Sequence, residues 1–201
     1  MLTAQNGEAS GKVYEYMDKA IAQTDRAGQI MRRMREFVEK GETDRSFEDV
    51  NEVVEEASKL ALVGARDINI EVEFNFGTDL PQVLVDKIQI QQVVVNLVRN
   101  GVEALTDSEE RKLAISTTAT GGDGVEVAVC DCGPGVTKEI SGRLFQSFVT
   151  TKAQGMGLGL SICRSIVEDH GGRLWAERNQ ERGMTFRFNL PISPLEDEGS
   201  G

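Results

Sequence analysis

The run from Asp86 to about Leu105 is the strongest constraint on how this chain can fold. It is of helix length, rich in Ile, Val and Leu, and carries two asparagines in its apolar second half, Asn96 and Asn100. A helix this apolar is core rather than surface. It does not cross a membrane, because the longest uninterrupted apolar stretches fall far short of the ~18–20 residues required. Nor does the opening Met1-Leu2-Thr3-Ala4-Gln5-Asn6 have the basic-then-apolar form of a signal peptide. With 201 residues, the chain suffices for one sizeable domain plus a small appendage.

Around that helix the pattern alternates between two periods. A helix is expected over 49–62, with Val50, Val53, Val54, Ala57, Leu60 and Ala61 on one side. Ile68, Ile70, Val72, Phe74 and Phe76 then alternate as a half-buried strand, and 83–85 form a short one. Strands over 113–118 and 125–130 are joined by the turn Gly121-Gly122-Asp123-Gly124. A Gly-rich, irregular region covers 133–157. A helix over 158–169 runs into His170-Gly171-Gly172, and strands over 173–178 and 184–190 close the domain. The reading for 46–191 is an α+β fold: a two-layer α/β sandwich with a largely antiparallel sheet and one open face available to a ligand.

The N-terminal part is different. Val13, Met17, Ala20, Thr24, Ala27, Met31, Met34 and Val38 step by fours and threes, the heptad seam of a long helix in a bundle or coiled-coil dimer. Gly41 stands where a C-terminal cap belongs. Residues 1–11 are small and polar and read as a loop, 12–41 as the helix, and 192–201 as a flexible acidic tail.

Charge narrows the partners. Asp and Glu total 33 against 22 Lys and Arg, a formal net charge of −11. That balance argues against nucleic acid and against an anionic membrane surface. Three cysteines, two of them at Cys130 and Cys132, make neither a disulfide framework nor a zinc site, which points to a cytoplasmic protein. As alternate strand residues these two face one way, and they are expected to pack toward a pocket.

Four segments carry chemistry. Asn96 and Asn100 are four apart and project from one helix face. Burying two amides among apolar side chains is costly unless something satisfies them. Mg²⁺ carrying polyphosphate would serve, and so would bonds to neighbouring loops. Asp131-Cys132-Gly133-Pro134-Gly135 ends a strand with a carboxylate where glycines let the backbone bend round a planar ligand. Such an acceptor suits an exocyclic amine like that of adenine, though an ordinary Asp-Gly turn has the same look.

Gly155-Met156-Gly157-Leu158-Gly159-Leu160-Ser161 opens a helix, and glycine N–H groups at a helix start make an anion site. No Gly-Lys-Ser/Thr follows, so it is not a Walker loop. The third glycine comes one residue early for a dinucleotide fingerprint. Lys152 lies just upstream as a candidate cation for a terminal phosphate. Last, Phe145 and Phe148 in Leu144-Phe145-Gln146-Ser147-Phe148 can anchor a lid, or belong to ordinary core.

In this order and spacing, the four segments together resemble the catalytic and ATP-binding domain of sensor histidine kinases, within the ATPase family shared with gyrase, Hsp90 and MutL. Residues 12–191 look like the rhizobial oxygen-sensing kinases and their PAS-linked relatives. The resemblance implies a Bergerat ATP-binding fold preceded by the second helix of a dimerisation hairpin. It implies that Asn100, with Asn96 beside it, coordinates Mg²⁺ bridging the phosphates. Asp131 would read the adenine amine in a pocket shaped by Gly133 and Gly135. Residues 136–157 would form a lid anchored by Phe145 and Phe148. Gly155, Gly157, Leu158 and Gly159 would wrap the triphosphate of ATP or ADP, with Lys152 nearby, and Thr185 would match a late motif near the base. Asn96, Asn100 and Lys152 would be the catalytic set. Gyrase-like relatives place a water-activating Glu at the Asn96 position, so an Asn there implies little ATPase activity.

The same resemblance implies a histidine kinase that passes the γ-phosphoryl group to a histidine, for relay to a response-regulator receiver domain. The acceptor's His-Glu-x-x-Asn/Pro pattern does not occur in this sequence, and the only histidine is His170. Standing at a helix end before two glycines, His170 reads as a cap that complements the helix dipole. The expectation is therefore a kinase domain starting just past its acceptor helix and without a sensor domain. It would form homodimers or heterodimers through the 13–38 seam. An alternative is a non-catalytic ATP-binding module that dimerises with an intact kinase.

Overall fold

The computed structural model describes residue 17 and residues 44–63, 69–121, 124–150 and 157–192. The chain divides into two units, Met1–Glu42 and Thr43–Gly201, and the second is described here. Apart from Met17, the loop expected over 1–11 and the helix expected over 12–41 lie outside the described residues, as does the tail from 193 onward.

In chain order the second unit holds β1 (Ser46–Glu48), α1 (Val50–Leu62), β2 (Glu71–Phe76), β3 (Val83–Val85) and α2 (Lys87–Leu105). These are followed by β4 (Lys112–Ala119), β5 (Gly124–Asp131), α3 (Lys138–Ser141), α4 (Gly159–Asp169), β6 (Arg173–Arg178) and β7 (Met184–Pro191).

Both long N-terminal helices begin at an aspartate. Asp49 accepts the N–H groups of Asn51 at 2.8 Å and Glu52 at 3.4 Å, and Asp86 accepts those of Ile88 at 3.0 Å and Gln89 at 3.1 Å. Each cap supplies acceptors for two otherwise orphaned N–H groups and stabilises its helix by about 1 kcal/mol. Ile90, Val93, Val94, Leu97, Val98, Val102 and Leu105 of α2 are all buried. Their spacing of three and four residues carries them round enough of the helix to pack against α1, α4 and the sheet together.

β2, β4, β5, β7 and β6 form a five-stranded sheet in that order. β2 runs parallel to β4 and every other pairing is antiparallel. The expected strands appear within one residue of their anticipated ends, except β2, which begins at Glu71 although the alternation starts at Ile68. Two elements were not anticipated. The short helix α3 interrupts the glycine-rich region, and β1 pairs with β3 in a separate two-stranded ribbon.

The two faces of the sheet differ chemically. Leu113, Ile115, Val125, Val127, Val129, Met184, Phe186, Phe188 and Leu190 are buried in one core cluster with the helices. The opposite face carries Glu126, Arg187, Glu177 and Trp175. There Arg187 bonds Glu126 at 2.6 Å and lies 3.6 Å from Glu177, and the Arg173 guanidinium stands 6.0 Å from the Trp175 ring centroid. Trp175 is thus a sheet-face residue rather than core.

Candidate functional site

Asp131 is the last residue of β5 and is 4% exposed. Its carboxylate accepts the Gly133 N–H at 2.9 Å and the backbone N–H of Met184. Burial pushes its carboxyl above the usual range, and the two N–H bonds pull the other way. The surroundings are tight. A Cβ on Gly133 would stand 2.9 Å from the Ala104 carbonyl oxygen, and one on Gly101 would stand 2.6 Å from Leu113 Cδ1 and 3.8 Å from Asp131 Cβ. The carboxylate therefore sits between α2 and the turn after β5. Held on one side by N–H groups, it offers its remaining lone pairs to a donor on a ligand.

Asn96 and Asn100 are both half-buried on α2. The Asn96 Oδ1 lies 3.7 Å from where a Cβ of Gly159, the first residue of α4, would be. The Asn96 side chain also hydrogen-bonds the thiol of Cys163, which burial pushes up to about 12 and so keeps protonated. Leu158, the N-cap position of α4, provides no side-chain cap. The first N–H groups of α4 thus remain available to an anion beside the Asn96 amide. Just before them Gly157, at φ +65°, accepts the Phe148 N–H at 2.9 Å. A Cβ at 157 would be 2.6 Å from backbone atoms of Phe148 and Val149, so this contact requires glycine.

The structure brings Asp131, Gly133, Asn96, Leu158, Gly157 and Gly159 to the helix-covered side of the sheet, around the C-terminal end of β5 and the start of α4. Asn100 lies one turn beyond Asn96 on the same helix. Gly135 lies against Gly183, with its Cβ position 3.3 Å from the Gly183 oxygen. Lys152 and Gly155 lie outside the described residues.

Several expectations change. The ligand-facing groups are not on the open sheet face, because Asp131 shares the parity of Val125, Val127 and Val129 and so points toward the helices. Thr185 pairs in register with Cys130 rather than Asp131, and its hydroxyl donates to Asn179 Oδ1 at 2.6 Å. It therefore lies on the face away from the carboxylate, and the β7 residue that meets Asp131 is Met184. Cys130 likewise receives the Asn179 amide at 3.4 Å on that far face, and Cys132 exchanges bonds with Lys112 N–H and Glu110 O. The Cys130 thiol thus does not pack toward the pocket, while Cys132 is packed against the edge of the core. Phe145 does pack against the core, but the Phe148 ring is 73% exposed at a φ of +67°, so it anchors nothing by burial.

His170 is no cationic cap. It is 1% exposed, its Nδ1 lies 2.7 Å from the Ile166 oxygen, and its Nε2 accepts the Asp86 N–H at 3.0 Å. These partners define the neutral tautomer protonated on Nδ1. Burial holds its pKa below the ordinary value, and neighbouring Arg45 adds to that.

A profile of the histidine kinase-, DNA gyrase B-, and HSP90-like ATPase family matches residues 85–194, from the end of β3 to just past β7. The chain belongs to that family. Within it, the sensor protein FixL of Bradyrhizobium diazoefficiens is 46% identical over 96% of this chain and 38% of its own length. TdiS of Thauera aromatica is 38% identical over 95% of this chain and 35% of its own. The chain thus spans little more than a third of these relatives.

Among solved structures of the family, the catalytic domain of histidine kinase ThkA is 38% identical with a TM-score of 0.67, covering 75% of this chain and 97% of that one. ThkA in complex with the response regulator TrrA matches at 31% identity and a TM-score of 0.73, over 92% of this chain and 52% of that one. ShkA in complex with AMPPNP shares the fold at a TM-score of 0.71, with 24% identity over 97% of this chain and 40% of its own. The folded unit is accordingly the ATP-binding catalytic domain of the sensor histidine kinases in this family.

Proposed function

We propose that this chain is the phosphoryl-donating part of a cytoplasmic two-component kinase, holding Mg·ATP and passing the γ-phosphoryl group to a histidine on another chain or segment. The observation that carries this reading is the buried Asp131 carboxylate, held by two N–H groups within the same helix-covered pocket region that α2 and α4 frame. The adenine amine donates to Asp131. Asn96 and Asn100 meet the phosphates, the first N–H groups of α4 face their negative charge, and the role of cation for the terminal one is assigned to Lys152. Phe145 roots the segment that would close over them.

Among the described residues no three His, Cys, Asp or Glu side chains gather to hold a metal. The donor set still fits Mg²⁺, because amide oxygens are hard ligands and the nucleotide supplies the charge. When bound, Mg²⁺ would neutralise charge on the β- and γ-phosphates. The acceptor imidazole nitrogen attacks Pγ, the bond from Pγ to the bridging oxygen breaks, and ADP leaves with that electron pair. The domain's contribution is alignment of donor and acceptor. Asn96, being an amide, cannot take a proton from water, which suits transfer over hydrolysis. Relay to a receiver-domain aspartate is supported by the TrrA complex of ThkA. Dimerisation is assigned to the seam over 13–38.

A second reading, a nucleotide-binding module that regulates an intact kinase by dimerising with it, is favoured by one observation. The only histidine has both ring nitrogens occupied inside the core, so no acceptor is available within this chain. The two readings separate on incubation with γ-labelled ATP, Mg²⁺ and a separate helical hairpin bearing an acceptor histidine. Label on the hairpin that vanishes with Asn100→Ala supports the kinase. ATP binding without label supports the module.

A further inference from the structure

We infer that Asn179, in the turn between β6 and β7, is a positioning residue for adenine selection, acting through Asp131; this rests on the nucleotide reading above. The antiparallel ladder between β5 and β7 has its last pair at Cys130 and Thr185. One step further, Asp131 would face Met184. There the Met184 N–H turns to the Asp131 carboxylate instead, and the Asp131 carbonyl accepts the side-chain amide of Asn179 at 2.8 Å.

Asn179 is itself fixed from three sides. Its Oδ1 accepts the Thr185 hydroxyl at 2.6 Å, its Nδ2 also reaches Cys130 Sγ at 3.4 Å, and its backbone N–H donates to the Gly183 oxygen at 3.2 Å. The turn is pressed against the same carbonyl. Gly183 has a φ of +89°, and a Cβ on it would fall 1.8 Å from the Asp131 oxygen. Asp131 is thus gripped on both sides of the sheet: its carbonyl by Asn179 on one, its carboxylate by Gly133 and Met184 on the other. None of the Asn179 side-chain bonds lies on the pocket side, so the residue does not touch the base.

What this grip controls is the placement of an acceptor. Adenine presents an amine to a carboxylate, whereas guanine presents a carbonyl oxygen at the equivalent place, and the carboxylate repels it. Removing the Asn179 amide lets the end of β5 shift. That weakens the amine contact and relaxes the repulsion, so ATP suffers and GTP does not.

The test is competition of ATP and of GTP against a fluorescent ADP analogue on the full chain, for the wild type, Asn179→Ala, Asn179→Asp and Thr185→Val, with circular dichroism confirming the fold. Asn179→Ala and Asn179→Asp, which both lack the amide donor, are expected to weaken ATP by about 10-fold while GTP changes less than about 2-fold, roughly one lost hydrogen bond. Thr185→Val, which frees Asn179 without removing it, is expected to lower the ATP:GTP preference by a smaller factor. Should the Asn179 variants fail to fold, the Thr185→Val preference decides. A preference unchanged from wild type, or both nucleotides weakened alike, overturns the role of Asn179. A wild type that binds neither nucleotide overturns the nucleotide reading itself, and the inference with it.

Discussion

Asp86 and His170 stand 84 positions apart in sequence, yet the Asp86 backbone N–H donates to His170 Nε2 at 3.0 Å. This bond joins the capped start of α2 to the end of α4, the two helices that supply Asn96, Asn100 and the glycine-rich helix start. On the other side, His170 Nδ1 is tied to Ile166 O within α4.

The bond sets a pH dependence. The groups facing the ring are Arg45, whose Nη2 bonds the Asp169 carbonyl at 2.7 Å, together with Asp86 and Asp169 themselves. Because burial holds the imidazole pKa below 6.5 in the folded state, the unfolded chain takes up this proton first as pH falls. Stability from the neutral ring is complete above 6.5, falls below it, and levels off once the folded protein is protonated too. Urea unfolding from pH 7.5 to about pH 5 should show this slope, and His170→Gln should flatten it. His170→Ala should cost about 1–3 kcal/mol at neutral pH by orphaning the Asp86 N–H in the core.

Asp131→Asn separates stability from binding. The carboxyl pKa is raised by burial, so the ionised group is costlier to hold in the folded protein than in the unfolded chain. An amide can still accept the Gly133 N–H through its oxygen without carrying the desolvated charge. The melting temperature at pH 7 should therefore rise. The NH₂ group then faces the adenine amine donor to donor, and ATP affinity should fall by about 100-fold or more, read by calorimetry.

Two glycines give opposite outcomes. Gly183→Ala places a methyl 1.8 Å from the Asp131 oxygen at a φ of +89°. It should cost about 3 kcal/mol or more in urea unfolding and weaken ATP binding together with stability. Gly142, at the end of α3 with a φ of −70°, has nothing within 4 Å of its Cβ position. Gly142→Ala should leave binding alone and stabilise by about 0.4–1 kcal/mol through the unfolded chain.

Phe148→Ala tests the lid anchor. With its ring 73% exposed, truncation should change unfolding free energy by less than about 0.5 kcal/mol. A larger loss would show that the ring is buried in solution.

Much of this architecture was readable from periodicity, because the core faces obey it strictly. The alternation of Met184, Phe186, Phe188 and Leu190 is what buries β7. The same alternation held the signal for Thr185, whose odd position turns it away from the core. The Gly183-Met184-Thr185-Phe186 motif points to Thr185, whereas the parity of the strand puts Met184 on the side of Asp131. β1 could not be read, since three residues with Phe47 exposed acquire strand character only by pairing with β3. Asn179 was equally hidden: an amide in a turn carries no pattern, and its partners Asp131 and Thr185 come from two different strands. The charge state of His170 depended on a carbonyl and an N–H that sequence does not display.

The strands at the two ends of the five-stranded sheet, β2 and β6, bear exposed charges along their length: Glu71 and Glu73 on one, and Arg173, Glu177 and Arg178 on the other. A second sheet approaching either border would have to strip water from those groups before any backbone pairing began. The domain can therefore be concentrated beside its own copies without its borders seeding fibrils.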